Sequence, residues 1–108
     1  MAVRRYNSLD EVQHLKNEAA QLRVQAIRSQ IAIGLTFCSV AERQLRFGPA
    51  EHIDLVIARL RKLTATVRRH VNEPEHVPSG SVEKLRAELA HLERGILALE
   101  QRALQSFR

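Results

Sequence analysis

The sequence predicts an all-α fold, a three-helix antiparallel bundle with a long first helix that dimerisation could complete. Apolar residues recur at spacings of three and four along three long stretches, which is the pattern of amphipathic helices. The three prolines fall between these stretches. Aromatic residues make up 4% of the 108 positions and tryptophan is absent, so the core must be aliphatic, as suits helices packed on helices. A chain of this length predicts a single domain, 1–108.

The first helix is predicted to run over about 9–47. Ser8 and Glu11 have the spacing of a capping box, in which each side chain accepts a bond from a backbone N–H of the first turn. Residues 1–7 are then expected to be a frayed lead-in. Gly48 suits the residue after a helix end, and the proline that follows suits the start of the next helix.

The uncharged stretch Ser29–Ala41 is the predicted centre of the fold. It carries two apolar stripes, so we expect this helix to be buried on more than one side. A membrane-spanning helix needs about 20 apolar residues, and Arg28 and Glu42 end this run earlier, so no membrane contact is expected. The first stripe consists of Val24, Ile27, Ile31, Gly34, Cys38, Ala41 and Leu45. The second stripe, beside it, consists of Ile33, Phe37 and Val40.

Two small residues in this stretch have specific interpretations. Glycine costs about 1 kcal/mol relative to alanine inside a helix, so Gly34 either permits close approach of a neighbouring helix or is merely tolerated. Cys38 is the single cysteine, which excludes an internal disulfide. Its apolar neighbours predict a small core residue and disfavour the reactive thiolate.

Two further helices and one loop complete the predicted order. Helix 2 covers about 49–71 and forms an antiparallel hairpin with helix 1, because the turn between them is short. The loop 72–80 contains two prolines and a glycine, which exclude a continuous helix. Helix 3 covers about 81–106 and has an unbroken apolar seam of the coiled-coil type.

Self-association through apolar seams is the function we predict. If the seams of helices 2 and 3 rest on the second half of helix 1, its first half lacks partners, and a second copy would supply them in a homodimer. The alternative is a monomer in which helix 3 covers most of helix 1. The residues expected to carry the contact are Val12, Leu15, Leu22, Leu85, Leu89, Leu92, Ile96 and Leu99.

A basic face on helix 2 suggests a second function. The net charge is +5, and no acidic residue lies between Arg59 and His70. Such a face could bind an acidic protein or, through phosphate contacts, nucleic acid, although no aromatic residue is present for base stacking. An ordinary solvated surface is the alternative. The face consists of Arg59, Arg61, Lys62, Arg68 and Arg69.

The segment His91-Leu92-Glu93-Arg94-Gly95 supports a third interpretation. It resembles the His-x-Leu-Lys-Gly motif of histidine phosphotransfer domains, which are also helical bundles. The resemblance implies that His91 accepts a phosphoryl group and that Arg94 binds it. It covers five residues, and the leucine of the motif is displaced, because Leu92 lies one position early. Glu93 stands in the place of that leucine and would repel the incoming phosphate.

Other chemistry is not indicated. His70, Glu73, Glu75 and His76 are close in sequence but match no zinc-ligand spacing. No nucleophile–base set or glycine-rich phosphate loop is present, so we expect neither enzymatic activity nor a metal or other cofactor. The N-terminus has no signal-peptide pattern, so the expected location is the cytoplasm.

Overall fold

The computed structural model describes the backbone of residues 2–48, 52–73 and 77–106 and, within these ranges, the side chains of residues 9–105. Its helices are α1 (Ala2–Arg46), α2 (Ile53–Asn72) and α3 (Ser79–Ser106). Each helix packs against the other two, and the described ranges contain no strand. The predicted all-α three-helix bundle is therefore confirmed.

Ion pairs between the helices define their directions. Arg28 Nη2 of α1 lies 3.1 Å from Glu88 Oε1 of α3, and further along Arg102 Nη1 of α3 lies 2.8 Å from Glu42 Oε1 of α1. Residue numbers rise together in these pairs, so α1 and α3 run parallel. Numbers run in opposite senses between α2 and α3, where the pairs are Arg61–Glu100 and Arg68–Glu93.

The core lies between the second half of α1 and the inner faces of α2 and α3. Four of its members come from the first predicted stripe of α1, and Cys38 is among them at 8% exposure. The predicted seam of α3 supplies most of the rest. Thr64 is the buried polar residue of α2, and its hydroxyl donates a hydrogen bond to the carbonyl oxygen of Arg61 over 2.8 Å. The core is formed by Ile27, Ile31, Cys38, Ala41, Ile53, Leu60, Val67, Val71, Val77, Leu85, Leu89, Leu92, Ile96, Leu99 and Ala103.

The N-terminal part of α1 extends beyond the bundle. The ion pairs place each α3 residue beside an α1 residue about sixty positions earlier, so the start of α3 lies level with Ala19. The described α1 residues before this level therefore project by about 25 Å, at 1.5 Å per residue. The molecule measures 75 × 19 × 16 Å and its radius of gyration is 19.4 Å, whereas a compact domain of this length has about 13 Å.

The start of α1 differs from the prediction. The helix begins at Ala2 rather than near Leu9, so Ser8 lies inside it and the predicted capping box is wrong. No proline or glycine precedes Ser8, and nothing in the lead-in therefore prevents the helix from extending towards the N-terminus. The helix is continuous through the described residues up to Arg46, one residue before the predicted end.

The other boundaries move by a few residues. The backbone of Gly48 has φ 145°, which residues with a Cβ atom rarely adopt. This agrees with the prediction that Gly48 is the residue after the helix end. Helix α2 begins at Ile53 instead of residue 49, while residues 49–51 lie outside the described part of the chain. Helix α3 begins at Ser79, two residues earlier than predicted. Just before it, Val77 is buried at 3% exposure and anchors the loop to the core.

Candidate interaction surfaces

The predicted contact residues of α1 lie on the projecting part of the helix or at its base. Val12, Leu15 and Leu22 are 47%, 61% and 64% exposed. Every described side chain from Leu9 to Glu18 is exposed, because neither α2 nor α3 reaches this level. Three large apolar side chains therefore face solvent, as expected for a segment that lacks partners within its own chain.

The predicted contact residues of α3 have a different environment. Leu85, Leu89, Leu92, Ile96 and Leu99 are between 0% and 4% exposed. They pack inside the bundle against α1 and α2, so they are not available at the surface of the monomer. The expectation that the α3 seam carries self-association is corrected on this ground: the same apolar spacing serves the core.

The second apolar stripe of α1 is also exposed. Ile33, Phe37 and Val40 are 53%, 54% and 46% exposed, so within one chain the second half of α1 is buried on one side only, contrary to the prediction. These residues lie roughly a third of a turn from the buried stripe. Phe47, which follows the end of the helix, is 86% exposed.

The two exposed sets on α1 form one continuous line. Starting at Val12, an apolar residue recurs at every seventh position up to Phe47. A seven-residue repeat keeps side chains near one side of a helix, with a drift of about 20° per repeat. We call this line, with the two leucines beside it, the outer seam: Val12, Leu15, Ala19, Leu22, Ala26, Ile33, Val40 and Phe47. The repeat was present in the sequence, but only the structure separates it from the core stripe.

The basic face of α2 is partly neutralised. Arg61 pairs with Glu100, and Arg68 pairs with Glu93, both across the α2–α3 contact. The other three members of the face are exposed and make no ion pair within the described part of the chain; they are Arg59, Lys62 and Arg69. Sequence reasoning missed the α2–α3 pairs, since it counted charges on α2 alone.

His91 is exposed at the edge of a groove between α1 and α3. The ion pair between Arg28 and Glu88 lies in the lining of the same groove. Arg94 is exposed, while Glu93 is held by Arg68 of α2. A phosphoryl group on His91 would therefore meet both acidic and basic side chains.

The described residues show no metal-binding cluster. No three of their histidine, cysteine, aspartate or glutamate side chains group closely enough to hold an ion. Of the four residues considered above, Glu75 and His76 lie outside the described part of the chain. His70 lines a small recess with Arg23 and Ile27 of α1, which places it at the α1–α2 contact.

Cys38 is a buried, free thiol. Burial raises its pKa, and the nearby carboxylate of Glu42 raises the pKa further. Both effects disfavour the thiolate, which is the reactive form. The prediction of a small, unreactive core residue agrees with this environment.

Within the described ranges, one helix is long and apolar enough to cross a membrane, namely the Leu9–Arg46 part of α1. A helix in the core of a water-soluble bundle satisfies the same criterion of length and composition, so this single helix is weak support for a membrane location. Arg28 within it is paired with Glu88 of α3.

Comparison of the chain with protein-family models, with curated protein sequences and with solved structures found no significant match.

Proposed function

We propose that this protein is a non-enzymatic interaction protein that self-associates through the outer seam of α1. The observation that carries the proposal is the exposure of Leu15 and Leu22, at 61% and 64%, at and beyond the level where the bundle begins. Contiguous exposed apolar side chains on a soluble protein mark interaction sites. A second copy offers the same apolar surface, as a two-fold symmetric contact requires.

A stable dimer requires burial of more of the outer seam than Leu15 and Leu22 alone. Burying a fully exposed leucine side chain contributes about 1.5–3 kcal/mol. Leu15 and Leu22 are 61% and 64% exposed, so from two copies they contribute about 4–8 kcal/mol if fully buried. Association costs about 4–15 kcal/mol in lost translational and rotational freedom. The two leucines alone therefore give at best a weak dimer. Ile33 and Val40, which continue the seam over the bundle, supply the additional apolar surface.

A second candidate function is the binding of an acidic partner or nucleic acid. The observation that favours it is that Arg59, Lys62 and Arg69 are exposed and make no ion pair in the part of the chain that the structure describes. Contacts of this kind would be dominated by phosphate or carboxylate charges and would weaken steeply with salt.

Light scattering on a sizing column tests both candidates. The Leu15→Glu, Leu22→Glu double variant places charges on the outer seam, and we expect a folded monomer where the natural chain is a dimer. The matched control is Asn17→Glu with Gln21→Glu, which adds the same charge at exposed positions on the other side of α1 and should remain dimeric. Circular dichroism confirms that each variant is folded.

The outcomes are distinct. A natural chain that stays monomeric at tens of micromolar overturns self-association. A double variant that unfolds would show that Leu15 and Leu22 belong to a core. Recording absorbance at 260 and 280 nm at low and high salt detects bound nucleic acid, since the chain has no tryptophan and one tyrosine. A monomer that carries nucleic acid only at low salt would favour the second candidate.

A further inference from the structure

The residue types along the outer seam follow a parallel coiled-coil pattern. In such dimers β-branched residues at the first core position of each heptad, with leucine at the second, favour two strands. On α1 the first position holds Val12, Ile33 and Val40, with two alanines between them, and the second holds Leu15 and Leu22. Beyond Leu22 the second position holds polar residues, so the seam follows the coiled-coil pattern most closely from Val12 to Leu22.

Charged residues flank the seam with opposite signs on its two sides. Glu11 and Glu18 lie on one side, and Lys16 and Arg23 lie on the other. In a parallel, in-register pair, each acidic flank faces the basic flank five residues further along the second helix. Glu11 then meets Lys16 of the partner subunit, whose side chain is exposed on α1. Glu18 lies on the side of Arg23 of the partner subunit, which also lines the recess beside His70 of α2. Two-fold symmetry doubles both pairs.

The opposite orientation of the projecting segments is unfavourable. In an antiparallel pair each flank faces the same flank of the second copy, so Glu11 and Glu18 would face the acidic flank of the partner subunit. On the other side Lys16 and Arg23 would face the basic flank of the partner subunit. Like charges at these positions oppose pairing and specify orientation. Glu18 also has His14 at 3.0 Å on its own helix, an exposed contact that leaves the carboxylate accessible to a second copy.

The length of the seam gives a contact area at the low end of the range for specific interfaces. From Val12 to Phe47 it spans about 52 Å at 1.5 Å per residue, and a strip one helix wide, about 10–12 Å, covers about 550 Å². Two copies thus bury about 1,100 Å², just above the roughly 1,000 Å² of a specific interface. The projecting part alone supplies less than half of this area. Ile33 and Val40 must therefore take part.

We propose that two copies associate through the outer seam with their α1 helices parallel and in register, so that both projecting segments lie together at one end of the dimer. This inference rests on the proposed self-association and adds its orientation. The bundles then lie side by side, since α2 and α3 occupy the other side of α1.

Oxidative cross-linking of single cysteines tests the orientation. In a Cys38→Ala background, Leu15→Cys and, in a separate variant, Val40→Cys place a thiol near opposite ends of the seam. Both positions face their own copies only if the helices are parallel and in register, because an antiparallel pair brings at most one of them against itself. We expect most of the chain to become a disulfide-linked dimer. Asn17→Cys, exposed on the other side of α1, is the control and should give at least tenfold less. If Leu15→Cys fails to fold, Val12→Cys replaces it.

Light scattering before oxidation tests self-association separately from the orientation of the helices. A dimer in which Leu15→Cys or Val40→Cys cross-links no more than the Asn17→Cys control would overturn the parallel arrangement and leave self-association intact. A monomer in which no variant cross-links would overturn both. Efficient cross-linking of both seam variants supports both.

Discussion

Gly34 of α1 lies directly against Leu92 of α3: a Cβ atom on Gly34 would come within 2.9 Å of Leu92 Cδ2. The same atom would lie 3.1 Å from Leu63 Cδ2 of α2. Leu92 is fully buried, at 0% exposure. All three helices therefore meet closely at this level, and glycine is the residue that permits it. Of the two interpretations open from the sequence, close approach is the one the structure supports.

We expect Gly34→Ala to destabilise the protein by about 1 kcal/mol. Overpacking a filled core costs about 1–3 kcal/mol, while replacing glycine by alanine in a helix returns about 1 kcal/mol. The packing cost outweighs the helix-propensity gain here, because Leu92 and Leu63 both lie within 3.1 Å of the added methyl group. Urea unfolding monitored by circular dichroism measures the difference.

Gly95→Ala is the matched control for this prediction. Gly95 also lies inside a helix, but an added Cβ would meet only Sγ of Cys38, at 3.8 Å, which is an ordinary contact. The helix-propensity gain should then dominate, and we expect stabilisation by up to about 1 kcal/mol. Equal stabilisation by both alanines would contradict the close approach at Gly34.

The buried faces of the helices could be predicted from the sequence, because apolar residues recur along them at a regular spacing. The spacing of three and four identified the buried faces of α2 and α3, with Leu60 and Leu92 correctly placed. The spacing could not say which of two apolar stripes on α1 is covered, because both stripes are apolar and only the positions of α2 and α3 decide. The pairing of Arg61 with Glu100 was inaccessible for a similar reason, since it depends on the register between two helices.

Predictions from short sequence motifs were less reliable than those from the apolar spacing. The capping-box spacing of Ser8 and Glu11 was present without the helix start that it predicts, because the residues before Ser8 also favour a helix. Conversely, Val77 lies in a segment rich in turn residues and gave no periodic signal, yet it is buried at 3% exposure. Its burial depends on the path of the loop over the core.

Leu92→Ala should destabilise the bundle by about 2–5 kcal/mol, the usual cost of truncating a buried leucine. Leu97→Ala, on the same helix at 51% exposure, should change stability by about 0.5 kcal/mol or less. Chemical denaturation of the two variants at equal concentration makes the comparison. Similar losses for both would mean that the two sides of α3 are not distinguished as the structure describes.

Charge reversal on α2 should separate binding from stability. Lys62→Glu with Arg69→Glu changes two exposed cations that have no ion pair among the described residues, so we expect weaker retention on immobilised duplex DNA or heparin with an unchanged melting temperature. Arg61→Glu with Arg68→Glu instead brings carboxylates against Glu100 and Glu93. We expect this second variant to melt at a lower temperature. A natural chain that these polyanions do not retain at low salt would exclude the basic face as a polyanion site.

Alkylation of Cys38 should be slow in the folded protein and should depend on pH. Burial and the carboxylate of Glu42 raise its pKa, so at neutral pH the thiolate fraction is smaller than in the unfolded chain. The rate with iodoacetamide should rise about tenfold per pH unit until pH passes the folded pKa, and it should rise sharply in urea. A folded protein that reacts as fast as the unfolded chain would show that the thiol is accessible.

The raised pKa also gives stability a definite pH dependence. Below the pKa of the unfolded thiol, about 8.5, both states hold the proton and Cys38 contributes no slope. As pH rises above that value, the unfolded state loses the proton first, so the free energy of unfolding falls until pH passes the folded pKa. Cys38→Ala should remove this part of the alkaline decline, which denaturation at pH 7 and pH 10 would measure. An identical decline in both proteins would place the cause in other groups.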